Sequence, residues 1–379
     1  MILLQLLLIS SLLNSGLGAS ILGSIKVPLA ERLRIDEGRV GGLVSLFGFT
    51  LIPSIFAAGF LTDLAGRRLV MVSGSLLIAV SFVVLARGRQ YIAALVGTVL
   101  LAAGWALIVN VNNVLTPEAF PGGMAYATNL ANVFFGLGAF FTPLAVALLL
   151  RRLALGATLV ILAGFAALPA LLALGVDLSA ATPAAEALVA GKATFGQVLG
   201  DPVLWLCGLA LFFYSPLEAS LAAWATTYLG EQGHRPAVSS ALLSAFWLSF
   251  MAARLLTAFS LSPGGEEALL LTLSLAGTAV LVAMVVARGR FLSAALLPLA
   301  GAIFGPIFPT MLAVLLGHFA PSLHGRACGL LFAIGGVGWS LIPMLIGSAA
   351  KRWGIRRAFG VAVVAALGLS ATATALLFR

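Results

Sequence analysis

The chain has 379 residues, of which 61% are hydrophobic and only 9% are charged, and its mean hydropathy is +1.15. A soluble domain of this size cannot hide so much apolar surface from water, which excludes an ordinary soluble globular protein. The net charge of +9 comes from short basic stretches without interleaved aromatic residues, and such stretches favour lipid headgroups over nucleic acid as partners.

Long, continuous apolar runs predict a helical membrane protein. A spanning helix needs about 20 apolar residues, whereas a membrane β-barrel shows short segments of alternating hydrophobicity. The first run lacks the Lys or Arg of a signal-peptide n-region, so we interpret it as a retained span. Twelve runs are predicted to span the membrane, at residues 2–27, 38–61, 69–86, 91–116, 122–150, 153–176, 203–229, 237–262, 267–287, 291–317, 325–349 and 357–378.

The longest polar interruption, from Asp177 to Asp201, leaves six runs on each side. We therefore expect residues 1–176 to form an N-terminal six-helix bundle and residues 203–379 to form a C-terminal one. Residues 177–202 are expected to be a cytoplasmic linker. The predicted fold class is an all-α membrane protein with 12 transmembrane helices in two pseudo-symmetric bundles.

The fifth and eleventh runs indicate that the two halves arose by duplication. Two glycines and a proline recur in them at a constant offset of 200 residues, in Gly136-Leu-Gly138-Ala-Phe-Phe-Thr-Pro143 and in Gly336-Val-Gly338-Trp-Ser-Leu-Ile-Pro343. Glycines in an apolar helix allow close packing and a proline allows bending. A repeated unit of this kind is typical of transporters.

A compact polar stretch, Gly59-Phe-Leu-Thr-Asp63-Leu-Ala-Gly66-Arg67-Arg68, lies between the second and third runs. Gly59 allows another helix to approach closely, Asp63 can meet the positive N-terminus of a neighbouring helix, and Gly66 permits a tight reversal. The arginine pair is expected to stay in water or lipid headgroups. An ordinary basic turn is the alternative interpretation.

The pattern G-x-x-x-D-x-x-G-R-R at this place resembles the signature loop of the major facilitator superfamily. The resemblance implies the major facilitator fold and two bundles that rock around a central site. It also implies that the loop gates the conformational change, through Gly59, Asp63, Gly66, Arg67 and Arg68.

Polar side chains inside apolar runs are costly to bury, so those near mid-depth are candidate functional residues. Glu218 is the strongest of them, because a lone carboxylate at this depth takes up a proton readily. We predict that it couples transport to a cation. The predicted substrate-binding set is Asn14, Asn110, Asn113, Asn129, Asn132, Tyr214, Glu218 and Trp224.

Each of these polar residues also has a structural interpretation. The asparagines can simply join helices through interhelical hydrogen bonds, and Glu218 can be a protonated acid bonded to a neighbouring helix. Arg254 is expected to snorkel or to brace an interface near the cytoplasmic side. The tenth run contains Pro298, Pro306 and Pro309, which free backbone carbonyls and indicate a cavity-lining or gating helix.

Within the superfamily, the chain resembles the sugar-porter branch around fucose permease. The residues that carry this resemblance are Asn129-Leu-Ala-Asn132 in the fifth run and Phe213-Tyr-Ser-Pro-Leu-Glu218 in the seventh, together with Pro343 and its preceding glycines. A sugar or polyol substrate is implied, moved by alternating access as a symporter. Protons and sodium are the candidate coupling ions, and a uniporter is the alternative.

This chain also departs from that branch at several positions. The branch uses carboxylates in its first and fourth spans, where this chain offers Ser24 and asparagines. The second-half copy of the signature loop is degraded to Ala252-Ala-Arg254 and Ser262-Pro-Gly-Gly. Two rival functions stay open: a drug or organic-anion exporter of the same fold, and a non-transporting membrane sensor or lipid-moving protein.

No catalytic constellation is present in the sequence. There is no GK[ST] phosphate loop and no Ser-His-Asp grouping, and Cys207 and Cys328 lie in apolar runs without metal-ligand spacing. We expect no enzyme activity, no cofactor and no metal. The expected partners are a small sugar-like solute and membrane lipids, and we expect a monomer that spans the cell inner (cytoplasmic) membrane several times.

The distribution of positive charge conflicts with the orientation that the superfamily implies. With cytoplasmic termini, 15 of the 21 Lys and Arg residues fall on the outer side, against the positive-inside rule. We give the signature loop more weight, because its place in the repeat is specific. The 15 residues are Lys26, Arg32, Arg34, Arg39, Arg87, Arg89, Arg151, Arg152, Arg235, Arg288, Arg290, Lys351, Arg352, Arg356 and Arg357.

Overall fold

The computed structural model describes residues 1–178, 195–286 and 288–379, and all regular structure within them is helical. Most of the predicted linker, residues 179–194, lies outside the described residues. The helices are α1 (Ile2–Ser24), α2 (Lys26–Leu33), α3 (Glu37–Leu64), α4 (Arg67–Arg87), α5 (Tyr91–Ala119), α6 (Met124–Leu150), α7 (Leu155–Gly175), α8 (Phe195–Gly200), α9 (Pro202–Glu231), α10 (Pro236–Ser260), α11 (Glu266–Val286), α12 (Arg290–Phe304), α13 (Ile307–His318), α14 (His324–Trp353) and α15 (Ile355–Leu377).

Twelve spans among the described residues are long and apolar enough to cross a membrane, which confirms the prediction. Two spans differ in detail from the predicted runs. The first helix ends at Ser24 and is followed by the short helix α2. The tenth span consists of α12 and α13, which are separated at Gly305 and Pro306, because proline cannot continue a helix without losing a backbone hydrogen bond.

The helix ends follow from local residues. Asp201 caps α9 by accepting a hydrogen bond from Val203 N (2.8 Å), and Pro202 occupies the first turn. Burial raises the pKa of Asp201, but hydrogen bonds from His318 and Val203 outweigh that effect and hold the pKa below its usual range. Gly66 adopts φ 87° in front of α4, a conformation that glycine accepts without steric cost.

The described chain separates into two compact units. Unit 1 comprises Met1–Pro121, Ala131–Val198 and Ala320–Gly329, and unit 2 comprises Gly122–Leu130, Leu199–Phe319 and Leu330–Arg379. The core of unit 1 is apolar and includes Ile21, Phe82, Ile108 and Leu159. The first six residues of α14 therefore belong to unit 1 and the rest of that helix belongs to unit 2.

The same helix pairings recur in both units. In unit 1, α4 packs on α5 and α7, α1 packs on the same two helices, and α3 packs on α5. In unit 2, α11 packs on α15 and on the broken span α12–α13, α9 packs on these same elements, and α10 packs on α12. The spans paired in unit 2 are those six places later in the chain, which supports the predicted duplication.

The repeated glycines occupy matching contacts. A Cβ atom built on Gly138 would overlap the backbone of Leu13 in α1, and one built on Gly338 would overlap the backbone of Phe212 in α9. In each unit a glycine therefore lets the proline-containing helix approach the first span of its half.

Candidate functional site

The signature loop contacts the start of α14 within unit 1. The Asp63 carboxylate accepts hydrogen bonds from the backbone N–H groups of Gly325 and Arg326, each at 3.1 Å. The Arg326 guanidinium lies 3.3 Å from the same carboxylate, and both side chains are almost fully buried. A carboxylate placed on the unpaired N–H groups of a helix N-terminus is stabilised by hydrogen bonding and by the helix dipole.

Gly59 brings these two helices together, as predicted from the sequence. A Cβ built at Gly59 would lie 2.6 Å from Gly325 O and 3.1 Å from Gly329 Cα. Both neighbours are backbone atoms, which cannot move aside as a flexible side chain can. The close approach of α3 and α14 therefore requires glycine at this position.

The expectation that both loop arginines stay in water or headgroups was wrong for Arg67. Its side chain is 5% exposed and forms an ion pair of 2.5 Å with Glu118 at the end of α5. Arg68 donates to Val176 O at 2.8 Å. The sequence did not reveal Glu118 as the partner, because the two residues lie at the start of α4 and near the end of α5 and only the packing of these two helices brings them together.

Three of the predicted asparagines are fully buried at 0% exposure. The side-chain amides of Asn14, Asn110 and Asn129 donate to the carbonyls of Ala166 (3.1 Å), Gly325 (3.1 Å) and Ala125 (3.0 Å), respectively. Their Oδ1 atoms have no donor among the described residues. This environment favours the alternative interpretation, in which the amides join or brace helices.

Asn113 and Asn132 are less enclosed, with 9% exposure each. They lie on α5 and α6 in unit 1. A neighbouring residue, Asn112, turns away and donates to Ser15 Oγ at 3.0 Å, as its place on the other face of α5 predicts. Of the five predicted asparagines, these two are the ones that retain some access.

Glu218 and Tyr214 lie one helical turn apart on α9 in unit 2. The Tyr214 hydroxyl is 3.0 Å from Glu218 Oε2 and 2.9 Å from Phe304 O, at the end of α12. Tyr214 is 1% exposed, whereas the residue Glu218 is partly exposed. The seventh span therefore carries an ionisable group that is anchored on one side and accessible on the other.

Arg254 on α10 belongs to the same cluster, which the sequence did not predict. Its side chain is 4% exposed, so it does not snorkel. Its Nε donates to Gly305 O at 2.8 Å, and its guanidinium lies over the Phe250 ring at 4.3 Å. The guanidinium also interacts with the Tyr214 hydroxyl and the Glu218 carboxylate.

A glycine pair explains how Arg254 reaches this position. Cβ atoms built at Gly301 and Gly305 would overlap the carbonyls of Phe246 and Phe250 on α10. The two helices therefore touch along one edge at i, i+4 spacing, and Arg254 is the next residue in that series. Glycines with this spacing beside Pro306 indicate a close helix contact from sequence alone. The sequence does not indicate which helix makes that contact.

Trp224 does not join Glu218. It lines a separate cavity of about 450 Å³ near the far end of α9, together with Met344, Ser348 and Lys351 of α14. The carboxylate of Glu231, which also lines it, accepts from Ile355 N at 2.8 Å. Within unit 2, Trp224 therefore lies apart from the pair formed by Tyr214 and Glu218.

Known proteins resemble this chain both in sequence and in fold. A family model described as Major Facilitator Superfamily matches residues 7–343. The Saccharomyces cerevisiae protein named Bypass of stop codon protein 6 is 29% identical over 173 residues, which is 43% of this chain and 35% of that protein. The chain thus matches about a third of the length of this relative.

Two crystal structures share the fold over nearly the whole chain. The E. coli fucose:proton symporter FucP has a TM-score of 0.81 and 18% identity, with 97% of both chains covered. The human organic anion transporter MFSD10 (TETRAN) has a TM-score of 0.76 and 17% identity, with 97% of this chain and 99% of that chain covered.

At such identities the structural likeness establishes the fold but not the substrate. The family match covers most of the chain. It identifies a multi-pass membrane protein that moves small molecules and is not an enzyme. The chain belongs to the major facilitator superfamily and is one of its secondary transporters.

Proposed function

We propose that this protein moves a small polar solute by alternating access, with Glu218 coupling the movement to protons. The observation that carries the proposal is a half-buried carboxylate inside the seventh span, bonded to Tyr214 and facing Arg254. Charged side chains within a membrane span are costly and mark ion or substrate pathways.

Protons fit this site better than sodium. A sodium ion would have to bind beside the permanently charged Arg254 guanidinium, which repels it, whereas a proton neutralises Glu218 without adding a second cation. We therefore assign the coupling role to a proton on Glu218.

A sugar or polyol is the substrate class that we propose first. Amide and hydroxyl groups both donate and accept hydrogen bonds, which suits a solute with many hydroxyls. In unit 1, a cavity of about 420 Å³ is lined by Ser20, Ser24 and Phe47, a combination of hydroxyls and an aromatic ring. Asn113 and Asn132 are proposed as further substrate ligands, and FucP, whose fold this chain shares, is a fucose:proton symporter.

An organic anion is the second candidate, and Arg254 is the observation that favours it. A buried guanidinium can bind a carboxylate through two parallel hydrogen bonds. Protonation of Glu218 removes a negative charge from beside Arg254, and a substrate carboxylate could then bind this guanidinium. MFSD10, which shares the fold, is an organic anion transporter.

The signature loop is proposed as the gate. The bonds from Asp63 to the start of α14, and the contact at Gly59, are interactions that a conformational change can break and remake. Gly66, Arg67 and Arg68 hold the loop in its turn and on its neighbours. We further propose two six-helix bundles joined by the linker 177–202, a monomeric state, and an inner-membrane location with cytoplasmic termini.

The substrate class is tested by uptake into proteoliposomes that contain the purified full-length chain. Radiolabelled D-glucose, L-fucose, xylitol and benzoate are offered with and without an inwardly directed proton gradient. Saturable uptake of a sugar or polyol, stimulated by the proton gradient, supports the first candidate. Uptake of benzoate alone replaces it by the second, and a lack of saturable uptake of all four contradicts both.

A further inference from the structure

Two adjacent backbone carbonyls at the break of the tenth span accept hydrogen bonds from Tyr214 and Arg254, the two side chains that lie beside Glu218. In a continuous helix, Gly305 O would accept from the N–H four residues later, but that residue is Pro309, which has none. Gly305 O instead accepts from Arg254 Nε at 2.8 Å. Phe304 O, at the last residue of α12, lies 2.9 Å from the Tyr214 hydroxyl.

The Tyr214 hydroxyl can satisfy all its neighbours in only one arrangement. A hydroxyl has one hydrogen and two lone pairs. Phe304 O can only accept, and the Arg254 guanidinium can only donate. If the hydrogen points to Phe304 O, then Glu218 Oε2 at 3.0 Å must be a donor, which requires the protonated acid. This arrangement requires neutral Glu218, whereas donation from the Tyr214 hydroxyl to an ionised Glu218 would leave Phe304 O without the tyrosine hydrogen.

Resting on the proposed coupling role of Glu218, we propose that Tyr214 is a relay that transmits the protonation of Glu218 to the break between α12 and α13. With Glu218 protonated, the acid donates to Tyr214 and Tyr214 donates to Phe304 O. The carbonyls of Phe304 and Gly305 are then both held, and the broken span is fixed in the described conformation.

Loss of the proton reverses this arrangement. Glu218 releases its proton to water on its accessible side, and Tyr214 keeps its own hydrogen throughout. The carboxylate and Phe304 O now compete for that hydrogen, and the charged acceptor wins because charge-assisted hydrogen bonds are the stronger ones. The carboxylate also attracts the Arg254 guanidinium away from Gly305 O. Both carbonyls lose these side-chain donors, and the break between the two helices is loosened.

Among the described residues, the groups around Glu218 make it the acid that drives this change. On its own helix the titratable neighbour is Tyr214, and α10 contributes the Arg254 guanidinium. The neighbouring ends of α12 and α13 contribute the carbonyls of Phe304 and Gly305. The helix α15, which also packs on α9, has its charged residues, Arg356 and Arg357, in its first turn.

The relay is tested by hydrogen exchange and infrared spectroscopy on the full-length protein in lipid nanodiscs at several pH values. In the wild type, the Gly305 and Thr310 amides, which flank the break, should lose protection roughly three- to tenfold as Glu218 ionises, after correction for intrinsic exchange. In Glu218→Gln, whose amide can still donate to Tyr214, protection should stay high at every pH.

Tyr214→Phe separates a relay from a merely structural tyrosine. Glu218 should still titrate, and the infrared band of its protonated carbonyl should shift to higher frequency because its acceptor is gone. The flanking amides should be weakly protected at every pH. The matched control is Tyr228→Phe on the same helix, a buried tyrosine that donates to Met284 O at 3.1 Å and should leave the pH dependence unchanged.

Protection that still follows pH in Tyr214→Phe would overturn the relay, as would wild-type protection that ignores pH while the Glu218 infrared band titrates. Neither result would contradict the proposed function, because that function is tested by proton-driven uptake. Conversely, pH-dependent protection that requires Tyr214, without proton-driven uptake, would contradict the coupling role of Glu218 but support the relay.

Discussion

The two halves of the chain carry corresponding loops that are built from different chemistry. In unit 1, the signature loop, which starts in the last turns of α3, places Asp63 on the first N–H groups of α14 and beside Arg326. In unit 2, the corresponding second loop includes the last turn of α10, where Phe259 meets Tyr126 at the start of α6; their ring centroids are 5.6 Å apart. The first contact is ionic and buried, and the second is aromatic.

The acidic residue of the second loop has a local role. Glu266 accepts a hydrogen bond from Gly264 N at 2.7 Å within its own turn, and so caps the loop instead of another helix. An aromatic pair contributes about 0.5–1.5 kcal/mol beyond its buried area, whereas removing one partner of a buried ion pair costs about 3–5 kcal/mol. In the proposed gate, we therefore expect the first loop to contribute more free energy than the second.

The largest effect is expected from Asp63→Asn, which keeps the shape and removes the charge. It leaves Arg326 buried without its partner and weakens two charge-assisted hydrogen bonds, at a cost of about 3 kcal/mol or more. We expect transport to fall by more than tenfold and the Gly325 and Arg326 amides to exchange faster. Exchange rates and initial uptake rates in the same preparation check this.

Asp36→Asn is the control for that substitution. Asp36 caps α3 by accepting from Arg39 N at 3.0 Å, at an exposed site. Asparagine is about as good an N-cap, so Asp36→Asn removes only an exposed charge. Comparable losses of uptake in both variants would show that the position of the charge is unimportant and would contradict the assigned gate.

A smaller effect is expected from Gly59→Ala. The new methyl group would lie 2.6 Å from Gly325 O, so α3 and α14 must move apart, at about 1–3 kcal/mol. We expect intermediate uptake and a lower melting temperature. Gly164→Ala in α7, where a Cβ meets nothing within 4 Å, should keep uptake and melting temperature at wild-type values; an equal loss there would remove the steric explanation.

The smallest effect is expected from Phe259→Ala in the second loop. The lost ring contact with Tyr126 is worth about 0.5–1.5 kcal/mol, so uptake should fall by less than tenfold. A loss as large as that of Asp63→Asn would show that the two loops share the gating free energy equally, and the asymmetry drawn from their chemistry would be wrong.

The sequence predicted the fold well because membrane spans and loop motifs are local signals. Twelve apolar runs, the Asp63 contact with a helix N-terminus and the close approach at Gly59 were all correct, since each depends on a few neighbouring residues. The break near Pro306 was likewise visible, because proline acts on its own backbone.

The site was less predictable because it depends on partners from distant helices. An asparagine in an apolar helix gives the same sequence signal whether it faces a solute or a carbonyl, and Asn14 and Asn110 face carbonyls. Arg254 was expected to snorkel or to brace an interface; it braces the contact with Gly305, but its place beside Glu218 was not predicted. Burial of Arg67 against Glu118 was missed for the same reason.

The central claim is that Glu218 binds the proton that accompanies the solute. The most direct measurement records solute uptake and external pH together, in weakly buffered proteoliposomes with the wild type and with Glu218→Gln. We predict that solute entry alkalinises the medium in the wild type, and that Glu218→Gln exchanges solute across the membrane without moving protons. Equal proton movement in the two proteins, or saturable wild-type uptake with no pH change, would contradict the account.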